Sequence, residues 1–122
     1  MLQCTARYPA PVDSLNLRVI PWLAQRFGVT PGLSDHSRET LIGPVAAVAL
    51  GARVIEKHYT LDKRLPGPDH AFALIPSELK SMIEAIRATT HGDILGHNVR
   101  RGRTDAARKK HWPGGPPPDG YR

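Results

Sequence analysis

The sequence lacks the features of a secreted or membrane-bound protein. Cys4 is its only cysteine, so no disulfide can form within the chain and a reducing compartment is the simplest setting. Its thiol has no activating pattern around it, and we expect it to be buried. The first five residues lack the charged segment and long apolar run of a signal peptide. No apolar stretch approaches the roughly 20 residues that cross a bilayer. We therefore expect a cytoplasmic protein without a membrane span.

The chain also lacks the glycine-rich loop with which P-loop and dinucleotide-binding proteins hold phosphate groups. Its formal net charge of +6 is concentrated at one end, because residues 100–122 contain seven basic and two acidic residues. Such a segment can bind nucleic acid through phosphates, but no recognition module accompanies this one. Nucleic-acid binding is therefore a weak hypothesis that rests on the tail alone.

What the sequence does contain is an alternation of short strands and helices. The predicted strands are 2–5, 32–34 and 53–58, and the predicted helices lie within 13–28, at 41–50 and at 76–89. Strands joined by helical crossovers form parallel sheets with right-handed connections. A doubly wound sheet and a section of a (β/α)8 barrel both have this order, and periodicity does not separate them.

Local signals predict where these patterns begin and end. Asn16 is expected to cap the first helix and Gly28 to end it. Beyond about residue 90 the periodic apolar face disappears, and the segment 112–118 is rich in proline and glycine. Such sequence cannot bury enough apolar surface to offset the entropy of ordering it. We predict an α/β domain over residues 1–92 and a disordered basic tail over residues 93–122.

Two histidines follow neighbouring predicted strands. His36 ends the segment Ser34-Asp35-His36, and His58 ends the segment Glu56-Lys57-His58. Because the carboxyl ends of parallel strands converge on one mouth, the two imidazoles could supply two nitrogen ligands to a divalent metal. Alternatively, each histidine is a hydrogen-bonded polar residue at a strand end. Spacing alone favours this second interpretation.

Other polar residues near the strand ends are open to two interpretations. Alternation along the third strand places Glu56 on the side of His58 and turns Lys57 away, which disfavours a Schiff-base role for Lys57. Asp69 lies in the proline-rich loop after that strand, and Tyr8 lies just past the first strand. Each could contact a ligand at the mouth or be solvated, and for Asp69 the residue pattern favours solvation.

Five ordered motifs match a known family. They are Leu2-Gln3-Cys4-Thr5, Tyr8-Pro9-Ala10-Pro11, Gly32-Leu33-Ser34-Asp35-His36, Val54-Ile55-Glu56-Lys57-His58-Tyr59-Thr60-Leu61-Asp62 and Gly67-Pro68-Asp69-His70. In these motifs, and across residues 2–90, the chain resembles the sialic acid (N-acetylneuraminate) synthases. The resemblance implies the C-terminal portion of a (β/α)8 TIM barrel, namely its last three strands. Since a full barrel takes about 250 residues, we expect an unclosed sheet of three parallel strands with helical crossovers.

The resemblance also implies an activity. Members of this family are transferases that condense phosphoenolpyruvate with N-acetylmannosamine or a related N-acylated amino sugar. The products are a nonulosonic acid and phosphate, in carbohydrate biosynthesis. The family uses a divalent metal, commonly Mn²⁺ with Mg²⁺ or Co²⁺ as alternatives, and relatives form homodimers. Because this sequence resembles only part of the barrel, we expect a truncated synthase, with a non-catalytic remnant or interaction fragment as the alternative.

Individual roles follow from the same resemblance. His36 and His58 match the metal ligands, which reverses the preference drawn from spacing. Glu56 is assigned a catalytic role as a carboxylate that tunes the site. The positions that match substrate contacts are Ser34 for phosphoenolpyruvate and Tyr8 and Asp69 for the sugar. Ala6 departs from the family, which usually has a polar Asn or Ser there, so one substrate contact is expected to be missing.

Overall fold

The computed structural model describes residues 1–91 as three parallel strands with helical crossovers. The elements are β1 (Leu2–Cys4), a 3-10 turn (Val12–Ser14), α1 (Val19–Phe27), β2 (Gly32–Asp35), α2 (Ile42–Ala49), β3 (Val54–Lys57) and α3 (Pro76–His91). The sheet order is β1-β2-β3, and both strand pairs are parallel. Within this range, no helix combines the length and apolar character needed to span a membrane. The tail predicted over residues 93–122 lies outside the described residues.

The first helix differs most from its predicted bounds. Asn16 has a positive φ of 49°, which cannot continue into a right-handed helix, and α1 begins only at Val19. The prediction that Asn16 caps this helix is therefore wrong. Pro21 falls within the first turn, where its missing N–H costs little. Gly28 ends the helix as predicted, with φ 63° and its N–H donating to the Ala24 carbonyl at 2.9 Å.

The core lies between the sheet and the first two helices. Leu33 of β2 is fully buried and packs with Ile20 of α1 and with Ala47 of α2, while Ile55 of β3 packs against the same cluster. Burying a side chain such as Leu33 or Ile20 contributes about 1.5–3 kcal/mol. The small Ala47 lets α2 approach the sheet closely. This packing fixes which face of each strand is turned toward the helices.

Gly32 allows the three strands to lie close together. A Cβ atom at this position would lie 2.5 Å from Leu2 Cδ2 and 2.5 Å from the Val54 carbonyl oxygen. The carbonyl belongs to the neighbouring strand and cannot move aside without disturbing the pairing of Gly32 with Val54. The absence of a side chain at residue 32 is therefore a packing requirement.

On the opposite face of the sheet, side chains of the two outer strands are exposed. Val54 is 48% exposed, Glu56 is exposed, and the Cys4 thiol is free and exposed. The prediction that Cys4 is buried is wrong, because β1 is a strand at the sheet edge and alternation turns this thiol away from the helices. We call this exposed side, on which Ser34 also lies, the open face.

Candidate functional site

The open face ends in the two histidines. Strand register pairs Ser34 with Glu56 and Asp35 with Lys57, so the residues that follow, His36 and His58, leave the sheet side by side. Their ring centres lie 5.2 Å apart, and the ring planes meet at 62°. The structure therefore brings together the two residues predicted as metal ligands.

His36 is buried and held by one ring nitrogen. Its Nδ1 lies 3.2 Å from the Thr5 carbonyl oxygen and 3.8 Å from Cys4 Sγ. Because a carbonyl oxygen only accepts, Nδ1 donates in this bond, which leaves Nε2 as the nitrogen available for coordination. Metal-binding histidines are commonly fixed in this way, by a backbone carbonyl or carboxylate at the nitrogen that does not bind the metal. The environment of His36 suits a ligand that coordinates through Nε2.

His58 lies beside a carboxylate. Its Nδ1 is 3.6 Å from Asp69 Oδ2, which is longer than a hydrogen bond but orients the same ring nitrogen toward an acceptor. The loop after β3 carries Asp69 back to the strand end, since Leu74 N–H donates to the His58 carbonyl and Thr60 N–H to the Leu74 carbonyl, both at 2.8 Å. Thr60 Oγ1 also pairs with His70 Nδ1 at 2.8 Å. These bonds explain how a loop residue 11 positions beyond His58 returns to it.

Two aromatic rings complete this part of the site. The exposed ring of Tyr8 lies 4.2 Å from the His36 ring and 5.9 Å from the His58 ring, centre to centre. Phe72 is buried, with its ring 5.2 Å from His58 and 6.2 Å from Tyr8. Phe72 is not among the residues predicted from sequence, because its only signal is a large apolar side chain at the end of a loop rich in proline. Its burial provides an apolar wall against His58.

The remaining predicted site residues form a separate pair on the open face. The Ser34 hydroxyl donates to Glu56 Oε1 at 2.5 Å. Ser34 is buried at the centre of the sheet, whereas Glu56 is exposed. Alternation along β2 and β3 places this pair one step before the histidines on the same face. The structure thus brings all six predicted site residues to one side of the sheet, while their chemical roles stay predictions.

The rings of the two histidines are close enough for both to contact one metal ion. Two imidazoles whose nitrogens lie about 2.1 Å from one ion, in tetrahedral arrangement, have ring centres about 5 Å apart. The observed separation of 5.2 Å agrees with this value. Within residues 1–91, however, no group of three or more His, Cys, Asp or Glu side chains is arranged to hold a metal. The described residues therefore offer two nitrogen donors and leave the other coordination positions to water, substrate or further groups.

Lys57 faces away from this site, as strand alternation predicts. Its Nζ lies 2.8 Å from Asp35 Oδ2, in an ion pair whose side chains are buried. An amine held in this way is not free to attack a carbonyl at the open face. The geometry therefore agrees with the low rank given to a Schiff-base role for Lys57.

Parallel strands that gather imidazole, carboxylate and hydroxyl groups at their carboxyl ends define an α/β protein with its site at the mouth of a sheet. A model described as the NeuB family matches residues 1–98 of the sequence. Since this match covers most of the chain, the protein belongs to the NeuB family.

Individual relatives agree with this membership. The chain is 54% identical over 90 residues to the spore coat polysaccharide biosynthesis protein SpsE of Bacillus subtilis, covering 73% of this chain and 24% of SpsE. It is 51% identical over 87 residues to the N,N'-diacetyllegionaminic acid synthase of Campylobacter jejuni, covering 71% of this chain and 26% of that enzyme. The chain thus spans about a quarter of the length of these curated relatives.

Solved structures support the fold in the same way. The N-acetylneuraminic acid (sialic acid) synthetase of Leptospira borgpetersenii aligns with a TM-score of 0.73 and 34% identity, over 89% of this chain and 37% of the synthetase. The predicted fold class is confirmed, because three parallel strands with helical crossovers match part of the synthase barrel. That these are the last three strands of the barrel stays a prediction.

Proposed function

We propose that this chain is part of a synthase that condenses phosphoenolpyruvate with an N-acylated amino sugar, such as N-acetylmannosamine, to give a nonulosonic acid and phosphate. Membership of the NeuB family supports the class of reaction. The observation that carries the proposal is the pair of imidazoles, His36 and His58, with ring centres 5.2 Å apart and a carboxylate and an exposed phenol beside them.

In the proposed site, His36 and His58 hold a divalent ion through their Nε2 atoms, with Mn²⁺ preferred to Mg²⁺ or Co²⁺. Such an ion supplies Lewis-acid polarisation of the sugar aldehyde. The protein's own part is to orient the rings, through the Thr5 carbonyl at one imidazole and Asp69 at the other. The buried ring of Phe72 keeps water from one side of His58.

The substrates are assigned to the exposed polar groups around the rings. Tyr8 and Asp69 are partly exposed and border the histidines, and both can form hydrogen bonds with sugar hydroxyls. Ser34 is assigned to phosphoenolpyruvate. Because an anionic ligand only accepts hydrogen bonds, the Ser34 hydroxyl must turn its hydrogen from Glu56 toward the ligand. Glu56 therefore holds this hydroxyl only before the ligand binds, and the bond between them breaks when the ligand accepts the hydrogen.

A test of the proposal begins with metal binding by the full 122-residue chain. Titration with Mn²⁺, followed by the loss of the free-ion signal in electron paramagnetic resonance, should give one site per chain. His36→Ala and His58→Ala should each abolish it, since one remaining imidazole does not hold the ion. His97→Ala, which removes an imidazole to which no role is assigned, is the control. Equal binding by the wild type and both site variants would contradict the proposed metal site.

The reaction is tested by the release of phosphate from phosphoenolpyruvate in the presence of N-acetylmannosamine and Mn²⁺. Release that requires both substrates and both histidines would support a catalytic chain. The exposed side chains of Val54 and Glu56 favour the alternative, a non-catalytic remnant or interaction fragment of such a synthase. Metal binding without phosphate release would support that alternative. A cytoplasmic location and a homodimer stay predictions.

A further inference from the structure

A buried ion pair lies directly behind the two histidines and takes no part in the proposed chemistry. The side chains of Asp35 and Lys57 are 0% and 4% exposed, and Asp35 Oδ2 accepts from Lys57 Nζ at 2.8 Å. Asp35 is the residue before His36, Lys57 is the residue before His58, and the two are register partners in the sheet. The ion pair therefore joins the two strands at the last step before each imidazole.

A second set of bonds extends this link past His36. Lys57 Nζ donates to the Ser37 carbonyl at 2.9 Å, and the Ser37 N–H donates to Asp35 Oδ1 at 2.8 Å. The residues on both sides of His36, Asp35 and Ser37, thus both accept a hydrogen bond from the ammonium group of Lys57. Because hydrogen bonds to a charged group are directional, this network restricts the backbone from which each imidazole projects.

Helix α2 holds the ion pair in place. A Cβ atom at Gly43, in the first turn of the helix, would lie 3.0 Å from Asp35 Oδ2, so the helix backbone packs directly on the carboxylate. A buried ion pair is a weak source of stability, since well-packed apolar residues of similar volume often serve as well or better. What apolar residues cannot reproduce is the fixed direction of the bonds.

We propose that Asp35 and Lys57 are positioning residues, which set the separation and the orientation of the His36 and His58 rings. The role in metal binding rests on the proposed function, whereas the role in ring geometry does not. The test therefore needs two measurements, one of the rings and one of the metal.

The informative variant is the double replacement Asp35→Leu/Lys57→Met in the full chain. Removing both charges avoids leaving one of them buried without a partner, so the variant is expected to fold. The first measurement is the set of nuclear Overhauser contacts between the ring protons of His36, His58 and Tyr8. The second is Mn²⁺ affinity, which falls by about 10- to 100-fold when partners hydrogen-bonded to the ligating side chains are altered. Since Asp35 and Lys57 act on the rings through the backbone, the lower end of that range, about 10-fold, applies to them. We expect the ring contacts to weaken and the affinity to fall by such a factor, with cooperative thermal unfolding retained.

The matched control is Lys80→Gln/Glu84→Gln, which removes an exposed ion pair of 2.7 Å on α3. It should leave both measurements unchanged. If the double variant does not fold, Asp35→Asn/Lys57→Met takes its place, because it also removes both charges and keeps an acceptor for the Ser37 N–H. Failure of both variants to fold would assign the pair to stability alone and overturn the proposal.

The two measurements separate this inference from the proposed function. If the wild type binds no Mn²⁺ but the ring contacts weaken in the variant, the positioning role stands and the metal site fails. If the wild type binds Mn²⁺ and a folded variant binds it equally well with unchanged ring contacts, the metal site stands and the positioning role is overturned.

Discussion

Each face of the sheet carries one polar pair that joins β2 to β3, and the two pairs differ in their exposure to solvent. On the helix side, Asp35 and Lys57 neutralise each other out of contact with solvent. On the open face, Ser34 and Glu56, which precede Asp35 and Lys57 by one residue, form a pair whose carboxylate is exposed. Alternation along two strands thus separates a buried pair of charges from groups that are available to a ligand. The difference can be measured by changing one residue of each kind.

Lys57→Met should produce the largest effect, because it leaves the buried Asp35 carboxylate without its partner. We expect a loss of about 3–5 kcal/mol in the free energy of unfolding. Glu56→Gln, on the open face of the same strand, should cost about 1 kcal/mol or less, because its carboxylate is exposed. Urea denaturation of the two variants beside the wild type gives the comparison. Similar losses in both would show that the two faces do not differ in this way.

A second prediction concerns a position on the open face where packing sets the residue. Gly32→Ala should lower the free energy of unfolding by about 1–3 kcal/mol, because the added methyl group would meet Leu2 and the backbone of β3. Val54→Ala is the matched control, since Val54 is the register partner of Gly32 and lies largely exposed. Thermal unfolding should show a small change for this control. A larger loss for Val54→Ala than for Gly32→Ala would contradict the packing argument.

The strands and helices could be predicted from sequence because their patterns are local. The short strand segments Gly32–Asp35 and Val54–Lys57 are separated by a helical segment, and the apolar face of α3 includes Met82, which is buried. The failures have non-local causes. Asn16 takes a positive φ in a turn that propensity does not reveal, and Cys4 is exposed because β1 is at the edge of the described sheet.

The candidate site was predictable only in part for a similar reason. Adjacent strand ends place His36 beside His58, and this much follows from the strand order. The contribution of Thr5 depends on its backbone carbonyl, which every residue possesses, so no sequence signal marks it. The Asp35–Lys57 pair required the register of β2 with β3, because charges 22 positions apart in sequence meet only through that pairing.

The smallest predicted effect involves the ion pair between Lys63 and Glu78. Its side chains are partly exposed, more than the buried Asp35–Lys57 pair. Glu78 lies in the first turn of α3, where Oε1 accepts from Lys63 Nζ at 2.8 Å and Oε2 accepts from the Ile75 N–H at 3.0 Å. The bond from Lys63, followed by that from Ile75, holds the pKa of the Glu78 carboxyl below its ordinary value of 4.5. A carboxylate in the first turn also satisfies one of the free N–H groups at the start of the helix.

Because the pKa of Glu78 is lower in the folded than in the unfolded chain, its contribution is present above pH 4.5 and is lost as the pH falls through the folded value. Glu78→Gln should therefore reduce the free energy of unfolding by about 1 kcal/mol at neutral pH, a modest value because the pair is partly solvated. The difference from the wild type should shrink as the pH falls below 4.5 and the wild-type carboxyl becomes protonated. Urea denaturation from pH 7 to pH 3 measures it. A difference that grows toward acid would mean that Glu78 stabilises the fold in its protonated form. Glu84→Gln, at the exposed ion pair with Lys80 on the same helix, serves as the control.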